Sequence, residues 1–363
     1  MLEIVGRIVV FAVGVAIVAG TFLSAVRTFV LPRSAPDQLT RVIFLLVRRC
    51  FDIVLRRAPA YEDRDRVMAL YAPLALLAMP PVWLICVLSG YMAMYWAIGV
   101  ASWRAAFRAS GSSLLTLGFA PLDTLGETML GYSEATLGLI LVALLIAYLP
   151  TIYGAFQKRE TAVTLLEVRA GSPPSAVELF LRFQRLKRMD KLNELWTSWE
   201  IWFSEVEESH TSLPALAFFR SPQADHSWIT AAGAVLDAAA LSASTIDIPR
   251  DVQADLCIRA GYLALRRIAD FFDIAHDTNP SGTISISRAE FDGACSQLEA
   301  GGVALKPDRD QAWRDFVGWR VNYDRVLLAL CGLTMAPWAP WSSDRSLRIG
   351  RAPLKLRNRR AAG

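Results

Sequence analysis

Charged residues are scarce in the first part of the chain, and this scarcity sets the class of protein. The sequence has 363 residues, of which 54% are hydrophobic and 20% are charged. The apolar excess lies before about residue 157, whereas charges occur in nearly every helical turn after it. A bilayer core does not tolerate that density of charge, but a soluble helical domain does. The sequence therefore predicts a membrane part followed by a soluble part.

Cysteine and histidine are few and widely spaced. The five cysteines form no C-x-x-C pair, and the three histidines stand at no metal-ligand spacing. This pattern argues against a disulfide framework and against a structural metal site. No Ser/His/Asp order, paired-carboxylate spacing or phosphate-binding glycine loop is present, so the sequence does not predict an enzyme.

One stretch resembles a calcium-binding loop only in its first half. Asp277–Ser285 carries oxygen-bearing side chains at the right spacing, but the twelfth position is Arg288, where such a loop has a bidentate glutamate. We therefore predict a turn there. The next helix is predicted to start at the capping box Ser287-x-x-Glu290.

Three apolar runs are long enough to cross a bilayer, which takes roughly 20 helical residues. They are Ile4–Val30, Tyr71–Val100 and Tyr132–Phe156. The first run is too long for the apolar core of a signal peptide and has Arg27 at its far end. We interpret it as an uncleaved anchor.

Basic residues predict the topology. Eight arginines occupy the connection from residue 33 to residue 66, against two, Arg104 and Arg108, between the last two runs. The positive-inside rule places residues 101–131 outside and everything after the third run in the cytosol. A second basic cluster fills the tail from Arg345 to Arg360, and both clusters suit anionic lipid headgroups. No aromatic-interleaved basic surface accompanies the tail, so nucleic acid is not an expected partner.

Apolar residues in the basic connection recur at helical spacing and predict an amphipathic helix. They are Leu39, Val42, Ile43, Leu46, Phe51 and Val54. Two interpretations stay open, a helix lying on the inner leaflet and a helix packed against the soluble domain.

The soluble part is predicted to be helical. Apolar residues at three- and four-residue steps from Val177 to Val206 predict one long amphipathic helix. Residues 209–222 are predicted to form a loop, and further helices are expected near 226–244, 250–276, 288–300 and 310–333. Trp196, Trp199 and Trp202 mark either the core of the long helix or a subunit contact, since tryptophan is enriched at interfaces.

Residues 103–121, between the second and third runs, are too polar and too interrupted to cross a bilayer. We interpret them as a re-entrant loop, because non-helical backbone survives at membrane depth only when buried in protein or lining a wet cavity. The stretch holds a short helix-like segment, then Ser112 and Ser113, then Thr116-Leu117-Gly118-Phe119.

This order of span, short helix, Thr-x-Gly-Phe and span is similar to the pore of the potassium-channel superfamily, as in bacterial two-transmembrane pore-loop proteins. The resemblance covers roughly residues 70–157. In that family a Thr-Val-Gly-Tyr-Gly filter, or a variant such as Thr-Ile-Gly-Phe-Gly, replaces the hydration shell of the ion with backbone carbonyl oxygens. The matching selectivity-filter positions are Thr116, Leu117, Gly118, Phe119 and Ala120.

The resemblance implies a homotetramer in the cell membrane, because one filter per chain cannot enclose an axis. It also implies a permeant monovalent cation, K⁺ in the first place, and no other cofactor. Gly138 on the third run is the candidate hinge of an inner gate. Thr136, Ile140, Ala143, Ala147 and Thr151 share one small, mildly polar face there, which favours a cavity lining and close helix packing equally.

The sequence departs from the family pattern at the outer end. Ala120 stands where the second filter glycine is expected, and Pro121 where an aspartate usually follows. Alanine at positive φ costs roughly 1 kcal/mol in each subunit, so we expect a distorted outermost ion site. Asp123 is a candidate outer-mouth charge. Ser112 and Ser113 are candidates to support either the helix-end carbonyls or the outer backbone of the filter.

Together these patterns predict an all-α membrane protein. Residues 1–68 form an N-terminal anchor and basic amphipathic segment, 69–157 a pore domain of helix, pore loop and helix, and 158–363 a cytosolic helical domain with a basic tail. The expected function is passive cation conduction, with the cytosolic domain modulating gating or assembly. The alternative is a non-conducting, membrane-anchored sensory or binding protein built on a degenerate pore fold.

Overall fold

The computed structural model describes residues 2–29, 37–55 and 61–346. In these ranges the regular secondary structure is helical, and the extended backbone forms a single antiparallel bridge between Ile246 and Leu305. The predicted basic tail from residue 347 onward lies outside the described residues, as do Arg33, Arg56 and Arg57 of the basic connection.

The α-helices are α1 (Leu2–Phe29), α2 (Gln38–Leu55), α3 (Tyr61–Ala69), α4 (Tyr71–Ile98), α5 (Trp103–Leu114), α6 (Leu125–Ala170), α7 (Ala176–Arg185), α8 (Leu192–Ser212), α9 (Trp228–Ser244), α10 (Val252–Phe271), α11 (Arg288–Ala300), α12 (Arg309–Arg320) and α13 (Asp324–Thr334). Short 3-10 helices span Met189–Lys191, Pro214–Phe218 and Ser343–Arg345. Contacts divide the chain into two compact units, Met1–Gly154 and Ala155–Gly363.

Three helical stretches in the described part are long and apolar enough to cross a membrane. They are Glu3–Phe29, Tyr61–Ile98 and Leu125–Ala170. The third predicted run was too short at both ends, since α6 is one helix of 46 residues. The start that sequence reasoning missed is marked by Thr124, whose Oγ1 accepts a hydrogen bond from the Glu127 amide at 3.2 Å.

In the first unit, α1 packs along α4 through small residues. A Cβ atom on Gly14 would lie 2.5 Å from the carbonyl oxygen of Gly90, and one on Gly90 would lie 2.7 Å from Val18 Cγ2. Two backbones approach this closely only where side chains are missing, which is how small residues promote helix contact without a hydrophobic driving force.

Polar groups tie the end of α1 to α2 and α4. Ser24 Oγ donates to Asp37 Oδ2 at 2.6 Å, and Trp83 Nε1 donates to Ser24 Oγ at 3.3 Å. The same carboxylate oxygen of Asp37 accepts from the Thr40 amide at 2.8 Å, in the first turn of α2. One aspartate therefore both caps α2 and joins it to α1, and Ser24 extends the contact to α4.

The amphipathic helix predicted from the basic connection is α2. Its Ile43 is buried, and Phe44 and Phe51 contact the ring of Tyr71 on α4 edge-on. A second apolar strip stays exposed within the described chain and comprises Val42, Leu46, Ile53 and Val54. One face of α2 thus belongs to the first unit, and the other is free to meet a surface.

The second unit is built around α9, which packs against α7, α10, α12 and α13. Every residue of α9 except Ala243 is buried, and most are alanine, glycine or serine, so the surrounding helices come close on all sides. Trp196, Trp199 and Trp202 are buried in the same core. Of the two interpretations of these tryptophans, the core interpretation is the one seen.

The prediction of one helix over Val177–Val206 was wrong. The chain leaves the helical conformation after α7, with Lys187 at φ 56°, and the Arg188 amide bonds back to the Phe183 carbonyl at 2.9 Å. The apolar spacing runs on through this break, so periodicity alone could not reveal it.

Three further predictions concern the rest of the second unit. The helix predicted over 310–333 is two helices, α12 and α13. The region predicted as a loop, 209–222, contains the end of α8 and a 3-10 helix. The capping box of Ser287 and Glu290 is confirmed at the start of α11.

A buried ionic cluster joins α9, α12 and α13. Arg320 is fully buried, pairs with Asp237 and with Asp324 at 2.8 Å, and donates to the Trp341 carbonyl at 2.5 Å. Tyr323 Oη donates to Asp237 Oδ1 at 2.8 Å. A buried charge is tolerated when its hydrogen-bonding capacity is met in this way.

A second buried arginine, Arg159, lies on the part of α6 that belongs to the second unit. It pairs with Glu160, donates to the carbonyls of Leu216 and Phe219 at 2.7 Å each, and lies 3.2 Å from His210 Nε2. Burial and the charge of Arg159 hold the pKa of His210 well below its ordinary value. His210 is therefore neutral and accepts from the guanidinium.

We expect Gly14→Ala to lower the stability of the full chain by about 1–3 kcal/mol, because the added methyl overlaps the Gly90 carbonyl. Gly20→Ala is the matched control on the same helix, since nothing lies within 4 Å of its Cβ position. Thermal unfolding in detergent measures both. Equal unfolding midpoints for the two variants would contradict the close packing of α1 on α4.

His210 also predicts a pH dependence. The unfolded chain takes up a proton at this side chain near pH 6.5 and the folded chain does not, so the free energy of unfolding falls as the pH drops below about 6.5. The slope is at most about 1.4 kcal/mol per pH unit. His210→Gln keeps an acceptor for Arg159 and flattens this slope in denaturant unfolding. His276→Gln, beside Asp270 instead of an arginine, leaves the slope in place.

Candidate functional site

The short helix α5 presents a loop between two apolar helices of the first unit. Ser102 caps its start by accepting from the Ala105 amide at 3.2 Å. Its buried face, Ala106, Ala109 and Ser110, packs on α4. The helix ends at Leu114, and the connecting loop, 115–124, leads to α6. The residues predicted to form the filter, Thr116–Ala120, lie in this loop outside any helix and are called here the candidate filter.

Ser112 accepts hydrogen bonds from four consecutive backbone amides of the loop. Its carbonyl oxygen accepts from Leu117 N at 2.8 Å and from Gly118 N at 3.4 Å. Its hydroxyl oxygen accepts from Phe119 N at 2.9 Å and from Ala120 N at 3.1 Å. The serine itself is buried, and the loop residues that donate to it are exposed or half-buried. Of the two roles expected for the serines, Ser112 takes the one that supports the backbone of the candidate filter.

The carbonyl oxygens of the same four peptide groups accept no hydrogen bond within the described chain. Among the described residues, no group donates a hydrogen bond to the carbonyl oxygens of Thr116, Leu117, Gly118 or Phe119. The loop is also open, since the side chains of Leu117 and Phe119 are 60% and 53% exposed. Backbone carbonyl oxygens can coordinate a cation in place of water.

Backbone conformation within the candidate filter differs from the expectation. Gly118 has φ 70°, a value that glycine adopts without penalty. Thr116 has φ 55°, whereas Ala120 is not among the residues with positive φ. The strain expected at Ala120 therefore falls on Thr116, where the left-handed conformation costs roughly 1–2 kcal/mol.

The remaining predicted residues lie around this loop. Ser113 Oγ is 3.4 Å from Tyr95 Oη on α4. Asp123 is exposed just before α6, and its amide donates to Glu127 Oε2 at 2.9 Å. Thr136, Ile140, Ala143, Ala147 and Thr151 all lie on exposed positions of α6 within the single chain.

Gly138 is buried where α6 meets the end of α5. A Cβ atom at this position would lie 2.6 Å from the carbonyl oxygen of Leu114. The glycine therefore provides a close approach between the two helices, and α6 is helical on both sides of it. Gly131, two turns earlier on α6, makes room for the loop, since its Cβ would lie 2.6 Å from Leu122 Cδ1.

Glu134 was missed by sequence reasoning as a site residue. It is fully buried on α6, and its Oε1 lies 2.5 Å from Ser110 Oγ on α5. The signal was present in the sequence as an isolated acid inside an apolar run. Its partner Ser110 is 24 residues away in sequence, and only the fold brings the two together.

No protein-family model, curated protein or solved structure matches the chain. No group of three or more His, Cys, Asp or Glu side chains in the described ranges could hold a metal ion.

Ser112→Ala tests the geometry of the loop without reference to function. The variant leaves the amides of Phe119 and Ala120 without their acceptor, and a neutral hydrogen bond contributes about 0.5–1.5 kcal/mol. We expect amide hydrogen exchange at these two residues to rise roughly two- to tenfold. Ser102→Ala, at the other end of α5, should leave it unchanged. Unchanged exchange in Ser112→Ala would contradict the arrangement.

Proposed function

We propose that the chain is a subunit of a homotetrameric cation channel of the potassium-channel type. The observation that carries the proposal is the loop after α5, in which Ser112 binds the amides of Leu117 to Ala120 and leaves the carbonyls of the candidate filter without donors. In the proposed assembly four such rows face one axis and take the place of the hydration shell of the ion. The C-terminal end of α5, with its partial negative charge, points into the same loop and favours a cation there.

The proposed location is the cell membrane. Three apolar helices of the described chain could span it, and the distribution of arginines supports a topology with the α5 loop outside and the second unit in the cytosol. The exposed apolar strip of α2, which has Arg48 and Arg49 on the same helix, fits the inner leaflet and its anionic lipids.

The tetramer is supported by the surface of α6. Its apolar stretch is mostly exposed within one chain, with Leu139, Val142 and Ile146 open alongside the smaller face of Thr136 and Ala143. In the proposed assembly the small face lines the cavity, and lipid and neighbouring subunits cover the larger side chains. The second unit, with its separate core, is assigned to modulating gating or assembly.

Ion flux into liposomes tests the proposal directly. Full-length protein, with its tetrameric state checked by cross-linking, should pass K⁺ faster than Na⁺. Gly118→Asp should lower K⁺ flux at least about tenfold, because it places a β-substituted residue at φ 70° and a carboxylate among the carbonyl ligands. Gly293→Asp, on α11 with nothing within 4 Å of its Cβ position, is the control.

Two results would reject parts of this proposal. Equal leakage through wild type and Gly118→Asp would show that the candidate filter does not select the ion. Confirmed tetramers that pass neither cation would support the alternative of a non-conducting sensory or binding protein on the same fold.

A further inference from the structure

Glu134 has no part in the proposed conduction path, yet it is fully buried on α6 in a stretch of apolar residues. An ionisable residue in such a helix is costly and usually functional. Its neighbours are hydroxyl groups and not charges. They are Tyr91 and Tyr95 on α4 and Ser110 on α5, and no lysine or arginine of the described chain pairs with it.

Ser110 Oγ has one hydrogen and two close oxygen neighbours, one on Glu134 and one on Leu88. Ser110 Oγ lies 2.5 Å from Glu134 Oε1 and 3.1 Å from the carbonyl oxygen of Leu88 on α4. A serine hydroxyl has one hydrogen to donate, and a backbone carbonyl oxygen only accepts. If Ser110 donates to Leu88, the hydrogen of the shorter contact has to come from the carboxyl group.

The surroundings of the second carboxyl oxygen also favour a protonated Glu134. Glu134 Oε2 is buried and has no hydrogen-bond partner among the described residues. In a carboxylate this oxygen would carry half of a negative charge with only the hydroxyl group of Tyr95 near enough to offset it, which an apolar interior opposes. In a carboxylic acid it is an ordinary carbonyl oxygen, and leaving it unpaired costs far less.

We propose that Glu134 is a neutral carboxylic acid that positions the candidate filter. Its proton is donated to Ser110, and the proton of Ser110 is donated to the carbonyl of Leu88, so that one relay runs from α6 through α5 to α4. Ser110 lies two residues before Ser112 on α5, and Ser112 holds the loop amides. The role in conduction rests on the proposed function, whereas the protonation state does not.

Loss of the proton reverses the relay. A carboxylate at Glu134 accepts from Ser110, and the hydrogen bond from Ser110 to Leu88 is lost. One of the contacts between α5 and α4 is then lost, and Tyr95 Oη, 3.4 Å from Ser113 Oγ, is a neutral donor that can turn toward the charge. Alkaline pH therefore weakens the attachment of α5 to α4, and the candidate filter is held less firmly.

Infrared difference spectra of the full-length protein in detergent test the protonation state. At neutral pH the wild type should show the carbonyl stretch of a protonated carboxyl group that E134Q lacks. E3Q, which removes an exposed glutamate of α1, should keep it. S110A should shift the band toward the frequency of a carboxyl group without a hydrogen-bond acceptor. Identical wild-type and E134Q spectra in this region would overturn the proposal.

The positioning role has its own measurements. On raising the pH, the band should disappear, and the unfolding temperature of the wild type should fall, because the folded state stabilises the protonated form. E134Q, whose amide can donate to Ser110, should show no such fall. Amide exchange at Phe119 and Ala120 should become about tenfold faster in wild type than in E134Q at the same alkaline pH. A band that titrates without any change at these amides would overturn the positioning role.

Flux separates this inference from the proposed function. In liposomes the K⁺ flux of the wild type should fall at alkaline pH, and that of E134Q should not. If neither protein conducts but the infrared band and the exchange response are present, the channel proposal fails and the proton relay of Glu134 stands. If both conduct with the same pH profile, the channel proposal stands and the role of Glu134 in positioning the filter is rejected.

Discussion

An irregular backbone between apolar helices needs hydrogen-bond partners within the protein, and in this chain Ser112 supplies them. A buried amide without an acceptor costs about as much as a lost hydrogen bond. Four amides follow one another from Leu117 to Ala120, and one buried serine accepts from all of them. The carbonyl oxygens of the same peptide groups accept no hydrogen bond within the described chain. The conformation of the candidate filter depends on these bonds to Ser112.

The same rule governs the other buried polar groups. Asp37 joins α1 to α2, Glu134 joins α6 to α5, and Arg320 holds three helices and the Trp341 carbonyl together. Each lies in a region with few alternatives for hydrogen bonding. In both units, therefore, the polar residues set which helix faces meet, while the apolar residues supply most of the stabilisation.

The sequence predicted those features that depend on local pattern. Apolar runs of membrane length and the capping box of Ser287 and Glu290 are local, and the structure contains them. The break between α7 and α8 was missed because a lysine, Lys187, adopts the left-handed conformation there without a glycine to mark it. The bonds of Ser112 and the pairing of Glu134 with Ser110 were out of reach, since they depend on how the loop and α5 settle against neighbouring helices.

Thr116 supplies a hydroxyl group to the loop, but its backbone conformation is strained. Its left-handed backbone is a conformation that a glycine would adopt freely and a threonine, with two heavy atoms on Cβ, adopts at a cost. A glycine at this position would adopt the conformation without strain, but the loop would lose the side-chain oxygen of Thr116. The loop thus keeps the threonine hydroxyl group at a cost in stability, and any symmetric assembly of the chain would carry that cost once in every copy.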